Sequence, residues 1–155
     1  MRLIMTHGYS LSGTGSNIYV QSLCRALVNE GHDVHLLCQD PDPLSFDFVS
    51  KAATVDAPGI KDLGEQETPY QGLCVVYRPE IGDLLPVYVY DEYPGWRVKT
   101  FLDLTQEELD NYLRRNVEAL KAVLGVSGAE AVSPTIQCPG RWSHVAHWTA
   151  MTSLT

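Results

Sequence analysis

The sequence predicts an α/β fold, a largely parallel sheet with flanking helices, and three observations carry that prediction. The first 38 residues read as strand, glycine-rich loop, helix and strand, one βαβ unit and right-handed by the sterics of a twisted sheet. A second amphipathic helix with its own start signal opens near position 105. Hydrophobic residues make up 45% of the 155, enough for a core. That length allows one domain or a piece of something larger. The balance of 11 Lys+Arg against 19 Asp+Glu, a net charge of −8, argues against a protein that binds nucleic acid by neutralising phosphates. No window approaches the ~18 apolar residues of a membrane span, and the amino terminus lacks the basic and apolar regions of a signal peptide. Cys24, Cys38, Cys74 and Cys138 form no Cys-x-x-Cys pair and read as reduced thiols of a cytoplasmic protein.

Residues 2–6 (RLIMT) are an apolar run that ends in the turn-rich stretch His7–Ser16, as a buried strand entering a glycine loop does. Ser16 is placed to cap a helix running to about Glu30. Its apolar Ile18, Val20, Leu23, Leu27 and Val28 fall near helical spacing, and Gly31 stops it. Residues 32–38 follow as the second strand, with Val34, Leu36 and Leu37 apolar. From Gln39 to Tyr70 the chain holds four prolines and reads mostly as loop, with a short strand near Ala53–Val55. Residues 73–77 and 84–90 read as further strands, the second with Val87 and Val89 facing one way. Residues 91–96 (DEYPGW) turn on Pro94-Gly95. Thr105 and Glu108 make a capping box that opens a helix to about Leu124, where Gly125 stops it. Leu109, Leu113, Val117, Leu120 and Leu124 form its core stripe, with no cofactor box in view.

The best site candidate is the loop from His7 to Asn17. Its glycines allow positive φ and close backbone approach, and the N–H groups where the helix starts suit an anionic group. Gly13-Thr-Gly15-Ser16-Asn17 lacks the Lys-Ser/Thr of a Walker loop. It is not Gly-x-Gly-x-x-Gly either, because Ile18 stands where the third glycine would be. The plainer alternative is that these glycines only turn the chain from strand to helix. His7 lies where open α/β sheets bind ligands, or is a structural histidine bonded to a neighbouring carbonyl. His32 and His35 read as surface and packing residues. Cys138, His144 and His147 lack the fourth partner and spacing of a zinc site, so no metal centre is expected. Asp91, Glu92 and Tyr93 follow a strand and either contact a hydroxylated substrate or form a plain solvated turn.

The opening 39 residues, MRLIMTHGYSLSGTGSNIYVQSLCRALVNEGHDVHLLCQ, resemble the start of family-four glycosyltransferases, retaining enzymes of the GT-B fold. The order of strand, glycine loop, helix ending in Ala-Leu-x-x-x-Gly-His-x-Val, and second strand is the same. Residues 84–113 (LLPVYVYDEYPGWRVKTFLDLTQEELDNYL) look like that family's later loop and helix, and the likeness spans about residues 1–132. It implies a Rossmann-like, acceptor-side amino-terminal domain of an enzyme that moves a sugar from a nucleotide-sugar donor to an acceptor with retention. In most members no metal is needed, and no other cofactor is implied. By that likeness Gly13, Gly15 and Ser16 line the cleft near the donor phosphates, while His7, Asp91 and Tyr93 lie on the acceptor side. Two rivals stand beside it: a Rossmann-like binding module without catalysis, and an accessory subunit docking on a separate donor-binding chain.

The resemblance also implies that the first domain is incomplete and that the donor-binding domain is missing, so that the chain alone is inactive. The stretch 131–155 contains no Asp or Glu, whereas the preceding 130 residues hold all 19. Read one frame over, codons permitted from Ser133 onward spell the family's Asn-His pair, an amphipathic helix and the start of a strand. Residues 133–155 are therefore expected to be an out-of-frame, non-native tail behind a partial domain at 1–132.

Overall fold

Ten elements follow one another in the computed structural model, which describes residues 1–13, 15–56 and 59–134. They are β1 (Arg2–Thr6), α1 (Ser16–Asn29), β2 (Asp33–Leu37), β3 (Lys51–Asp56), β4 (Gly59–Glu65), β5 (Cys74–Pro79), β6 (Leu84–Val87), β7 (Arg97–Thr100), α2 (Gln106–Ser127) and β8 (Ala131–Pro134), with a short 3-10 turn at Pro43–Ser45. Six strands form one sheet in the order β4-β3-β5-β2-β1-β8, parallel throughout except for the antiparallel β3–β4 pair. This is a mixed α/β architecture of Rossmann-like character, as the βαβ reading requires.

Parallel strands covered on both faces need apolar residues on both, and here they alternate. Leu3, Met5, Val34, Leu36 and Val76 meet Val20, Cys24 and Val28 of α1 in one core. Ile4, Leu37, Val55 and Tyr77 meet Ala119 and Val123 of α2 in the other. From β1 the chain crosses through α1 to β2 on one flank; later it returns through α2 to β8 on the opposite flank of β1. The carboxyl end of β1 is thus a topological switch point, where open α/β sheets form a crevice.

Several expectations need correction. The strand expected near Ala53–Val55 is present as part of β3, but the 39–70 segment holds more strand than expected. It contains the β3–β4 hairpin, whose second strand (GIKDLGE) is exposed along nearly its whole length. That strand is a charged sheet edge, so it shows no alternation for pattern reading to find. The strand expected over 84–90 ends at Val87. Val87 is 2% exposed and Val89 82%, so the two do not face one way. Pro94 and Gly95 do make the expected turn, closed by Trp96 N–H donating to Tyr93 O at 3.0 Å, and Gly95 adopts φ +86°. The unforeseen β7 follows that turn and pairs with β6.

The capping box at Thr105 and Glu108 is present in both directions. Gly125 does not stop α2, however. The helix runs on to Ser127 and ends at Gly128 in the left-handed region, φ +59°. Its buried line is Tyr112, Ala119, Val123 and Ser127, with Leu113 and Leu120 packed alongside. Val117 and Leu124 of the expected stripe are 44% and 37% exposed. Small residues let the helix axis approach the sheet closely, and the larger leucines straddle that line. The expected break at Ser133 falls within β8, whose Ser133 and Pro134 pair with Met5 and Thr6. The remainder of the expected tail lies outside the described residues.

Candidate functional site

The β1–α1 loop stands on the carboxyl end of β1, and three polar side chains hold its shape. Asp40, three residues past β2 and 2% exposed, is the main anchor. One of its carboxylate oxygens accepts from Ser10 Oγ and Leu11 N–H, both at 2.7 Å, and from Ser12 N–H at 3.4 Å. The other accepts from Asp42 N–H at 3.0 Å. A buried carboxylate without a cation needs such a ring of donors. From α1, Gln21 donates to Leu11 O at 2.6 Å and the Asn17 amide donates to Ser12 O. The loop is wired to the sheet and to the helix it precedes.

His7 continues directly from β1, its N–H donating to Leu37 O at 2.8 Å. The ring is buried, edge-on to Tyr9 with centroids 5.8 Å apart. Its Nε2 lies 3.2 Å from Ser10 O and 3.1 Å from Asn17 Oδ1. Burial lowers its pKa, partly opposed by these two hydrogen bonds. The carbonyl-bonded, structural role is therefore present on the Nε2 side. On the other side of the ring, Nδ1 is buried and has no hydrogen-bond partner among the described residues.

Gly13 and Gly15 both carry positive φ, +117° and +57°. A Cβ on Gly13 would come within 2.9 Å of the Asn17 amide, whereas one on Gly15 would meet nothing within 4 Å. Gly13 is a packing requirement; Gly15 faces open space. The helix cap also differs from the expectation. Gly15 occupies the N-cap and supplies no side chain, while Ser16 is already helical, its hydroxyl 3.5 Å from Asn17 Oδ1. The strained turn at Gly15 delivers the chain into the helix one residue early. Among the described residues the first turn of α1 has no acidic residue and no side-chain cap, an arrangement in which the N–H groups of a positive helix end suit an anion.

Tyr93 joins an apolar cluster with Tyr9, Ile81, Leu85, Val87, Trp96, Phe101 and Tyr112. Tyr9 connects this cluster to the loop, since its hydroxyl accepts from Tyr88 N–H at 3.2 Å while its ring abuts His7. Burial pushes the Tyr112 hydroxyl up to about 12. That hydroxyl would lie 3.3 Å from a Cβ on Gly8. His7, Gly13, Gly15, Ser16 and, through Tyr9, Tyr93 thus belong to one region. Asp91 is exposed, its carboxylate accepting from the adjacent Glu92 N–H at 2.8 Å, as a solvated turn does. His35 is the packing residue expected, stacked on Tyr77 with Nδ1 3.2 Å from the Tyr77 hydroxyl. Cys138, His144 and His147 lie outside the described residues.

Sequence reading missed Gln39 and Asp40, while Asn17 closed the loop it singled out. Gln39 is 4% exposed and its amide N–H donates to Pro79 O at 3.0 Å, with Oε1 buried and without a partner among the described residues. The polar pair Gln-Asp directly after the apolar run of β2 was the available signal. No protein-family model matches this chain, and no curated protein or solved structure matches it either.

Proposed function

We propose that this chain is the acceptor-side, Rossmann-like unit of a retaining glycosyltransferase resembling family four of the GT-B fold. The observation that carries the reading is the glycine loop at the β1–β8 switch point, with Gly15 at positive φ facing open space beside an uncapped helix start. In this reading the N–H groups at Ser16 and Asn17 hold a phosphate oxygen of the nucleotide-sugar, favoured by the helix dipole. His7, kept neutral by burial, and the Tyr9–Tyr93 cluster form the acceptor side. Catalysis requires the sugar carbon to be held near the acceptor hydroxyl by both walls of a cleft, so transfer depends on a donor-binding domain joined to this unit or supplied as a second chain.

The test has two parts. Titration of the chain with nucleoside-diphosphate sugars, followed by amide resonances, should move Gly13, Gly15 and Ser16. Fusion to, or mixing with, a family-four donor-binding domain should then yield a glycoside of retained configuration from some donor and acceptor in a broad panel. An unmoved loop together with a silent panel would end the proposal. A moved loop with no transfer would favour a binding module.

A further inference from the structure

The ribbon made by β6 and β7 ends in an apolar tip that the described fold does not cover. Its strands run parallel from the Leu84–Arg97 pair to the Val87–Thr100 pair, so the residues that follow each of them emerge at the same end. Tyr88 and Phe101 close the ribbon there, with Phe101 N–H donating to Val87 O at 2.9 Å and the two rings 5.0 Å apart. Immediately beyond them Val89 is exposed, Tyr90 is 62% exposed and Leu102 96%. One such side chain is ordinary on a protein surface, whereas several at one end of one ribbon mark a surface that another molecule covers.

Charge selects the occupant. Asp91 and Glu92 follow Tyr90, Asp103 follows Leu102, and all three are exposed. Asp91 accepts from Glu92 N–H and Asp103 from the Thr100 hydroxyl, but no cation pairs with any of the three among the described residues. The cations of the ribbon are already committed, Arg97 to Asp83 and Glu108, and Lys99 to Glu108. The tip therefore presents apolar side chains bordered by uncompensated carboxylates.

We propose that this tip docks on a segment of another protein whose apolar face is bordered by Lys and Arg. Apolar anchors supply the affinity of such a contact, and opposite charges supply its register and its speed of association. A second copy does not fit, because a two-fold contact sets each carboxylate cluster against itself on a chain of net charge −8. A membrane leaflet rich in anionic lipid repels the same carboxylates. The inference goes beyond the glycosyltransferase reading and does not depend on it, because the ribbon tip and not the glycine loop makes the contact.

The experiment uses the full chain, labelled with nitrogen-15, and four probes: an amphipathic helical peptide of leucine and lysine, its leucine–glutamate counterpart, oligolysine, and vesicles of phosphatidylcholine with phosphatidylserine. At physiological salt the leucine–lysine peptide should bind in one-to-one ratio and move the amide resonances of Val89, Tyr90 and Leu102. The other three probes should leave Val89 and Leu102 in place. Val89→Ser combined with Leu102→Ser should weaken binding about tenfold, and Asp91→Asn combined with Glu92→Gln about fivefold. The wild-type resonances decide even where a variant misfolds. Shifts confined to other surfaces, undiminished affinity in both variants, or equal binding of the leucine–glutamate peptide would each overturn the proposal. So would tip shifts caused by vesicles alone, which would make the occupant a lipid surface, and dimers in sedimentation that Leu102→Ser dissolves, which would make it a second copy. The glycosyltransferase reading is tested at Gly13, Gly15 and Ser16, so its failure and failure at the ribbon tip are separate results.

Discussion

Replacing Asp40 by Asn tests whether one buried carboxylate holds the glycine loop. The change keeps the volume and removes the charge, so the effect falls on hydrogen bonding. Two donors approach at 2.7 Å, Ser10 Oγ and Leu11 N–H, and a third, Asp42 N–H, reaches the second oxygen at 3.0 Å. An amide has one acceptor oxygen. The side chain keeps more bonds by turning that oxygen to the loop, which sets its NH2 against Asp42 N–H. The lost bond costs ~1 kcal/mol. The two short bonds decline from charge-assisted to neutral, at about 1 kcal/mol each. Relief from burying a charge returns roughly 1 kcal/mol. The net expectation is a destabilisation of about 2 kcal/mol, well inside the ~5–15 kcal/mol of an ordinary domain.

Urea unfolding followed by circular dichroism reads that loss as a midpoint lowered by about 1 M at an unchanged slope. Amide exchange at Leu11 and Ser12 should quicken by more than exchange at Ile4 and Leu36, because the loop loosens before the sheet does. A midpoint within about 0.2 M of wild type, or equal quickening in loop and strands, would refute the anchoring role of Asp40.

Thr105→Ala removes one half of the capping box and should cost about 1 kcal/mol, read by thermal or urea unfolding; a change below measurement error would mean the α2 cap is idle. Gly15→Ala meets no atom within 4 Å but forces a side chain to φ +57°, so it should cost ~1–3 kcal/mol as backbone strain alone, and a neutral result would show that the turn relaxes freely. Cys24, Cys38 and Cys74 are buried; burial raises the Cys38 thiol, and the hydrogen bond with Cys24 together with burial raises the Cys74 thiol. Alkylation of all three should wait for unfolding, and rapid labelling of any of them in the folded chain would contradict this core. Burial depresses the pKa of His7 and of His35, so the unfolded chain binds protons that the folded chain refuses. Their contribution is complete above about pH 6.5 and is lost as pH falls through the folded values. His7→Gln should flatten that slope, and an unaltered pH profile in the variant would exclude His7 as its source.

What the sequence disclosed and what it withheld divide along the range of the interactions. The β1–α1–β2 unit was legible because each part is encoded locally: an apolar run, a glycine loop, helical spacing, then Gly31, which indeed follows the helix at φ +78°. The capping box was legible for the same reason, being four consecutive residues. The β4 strand was not, since its pairing with β3 is made through the backbone while its side chains face water. The α2 stripe was misjudged by the same logic in reverse. Leucine is the better sign of a core, yet the sheet beneath selects Ala119 and Val123 because closeness, not bulk, decides that contact. At the candidate site the glycines announced themselves, whereas Asp40 takes its meaning from Ser10 and Leu11 about thirty positions earlier, and Gln39 from Pro79 forty positions later. A polar residue just past a buried strand is ambiguous by itself. It becomes specific only when topology sets a partner beside it, as the β1–α1 loop does for Asp40 and the end of β5 does for Gln39.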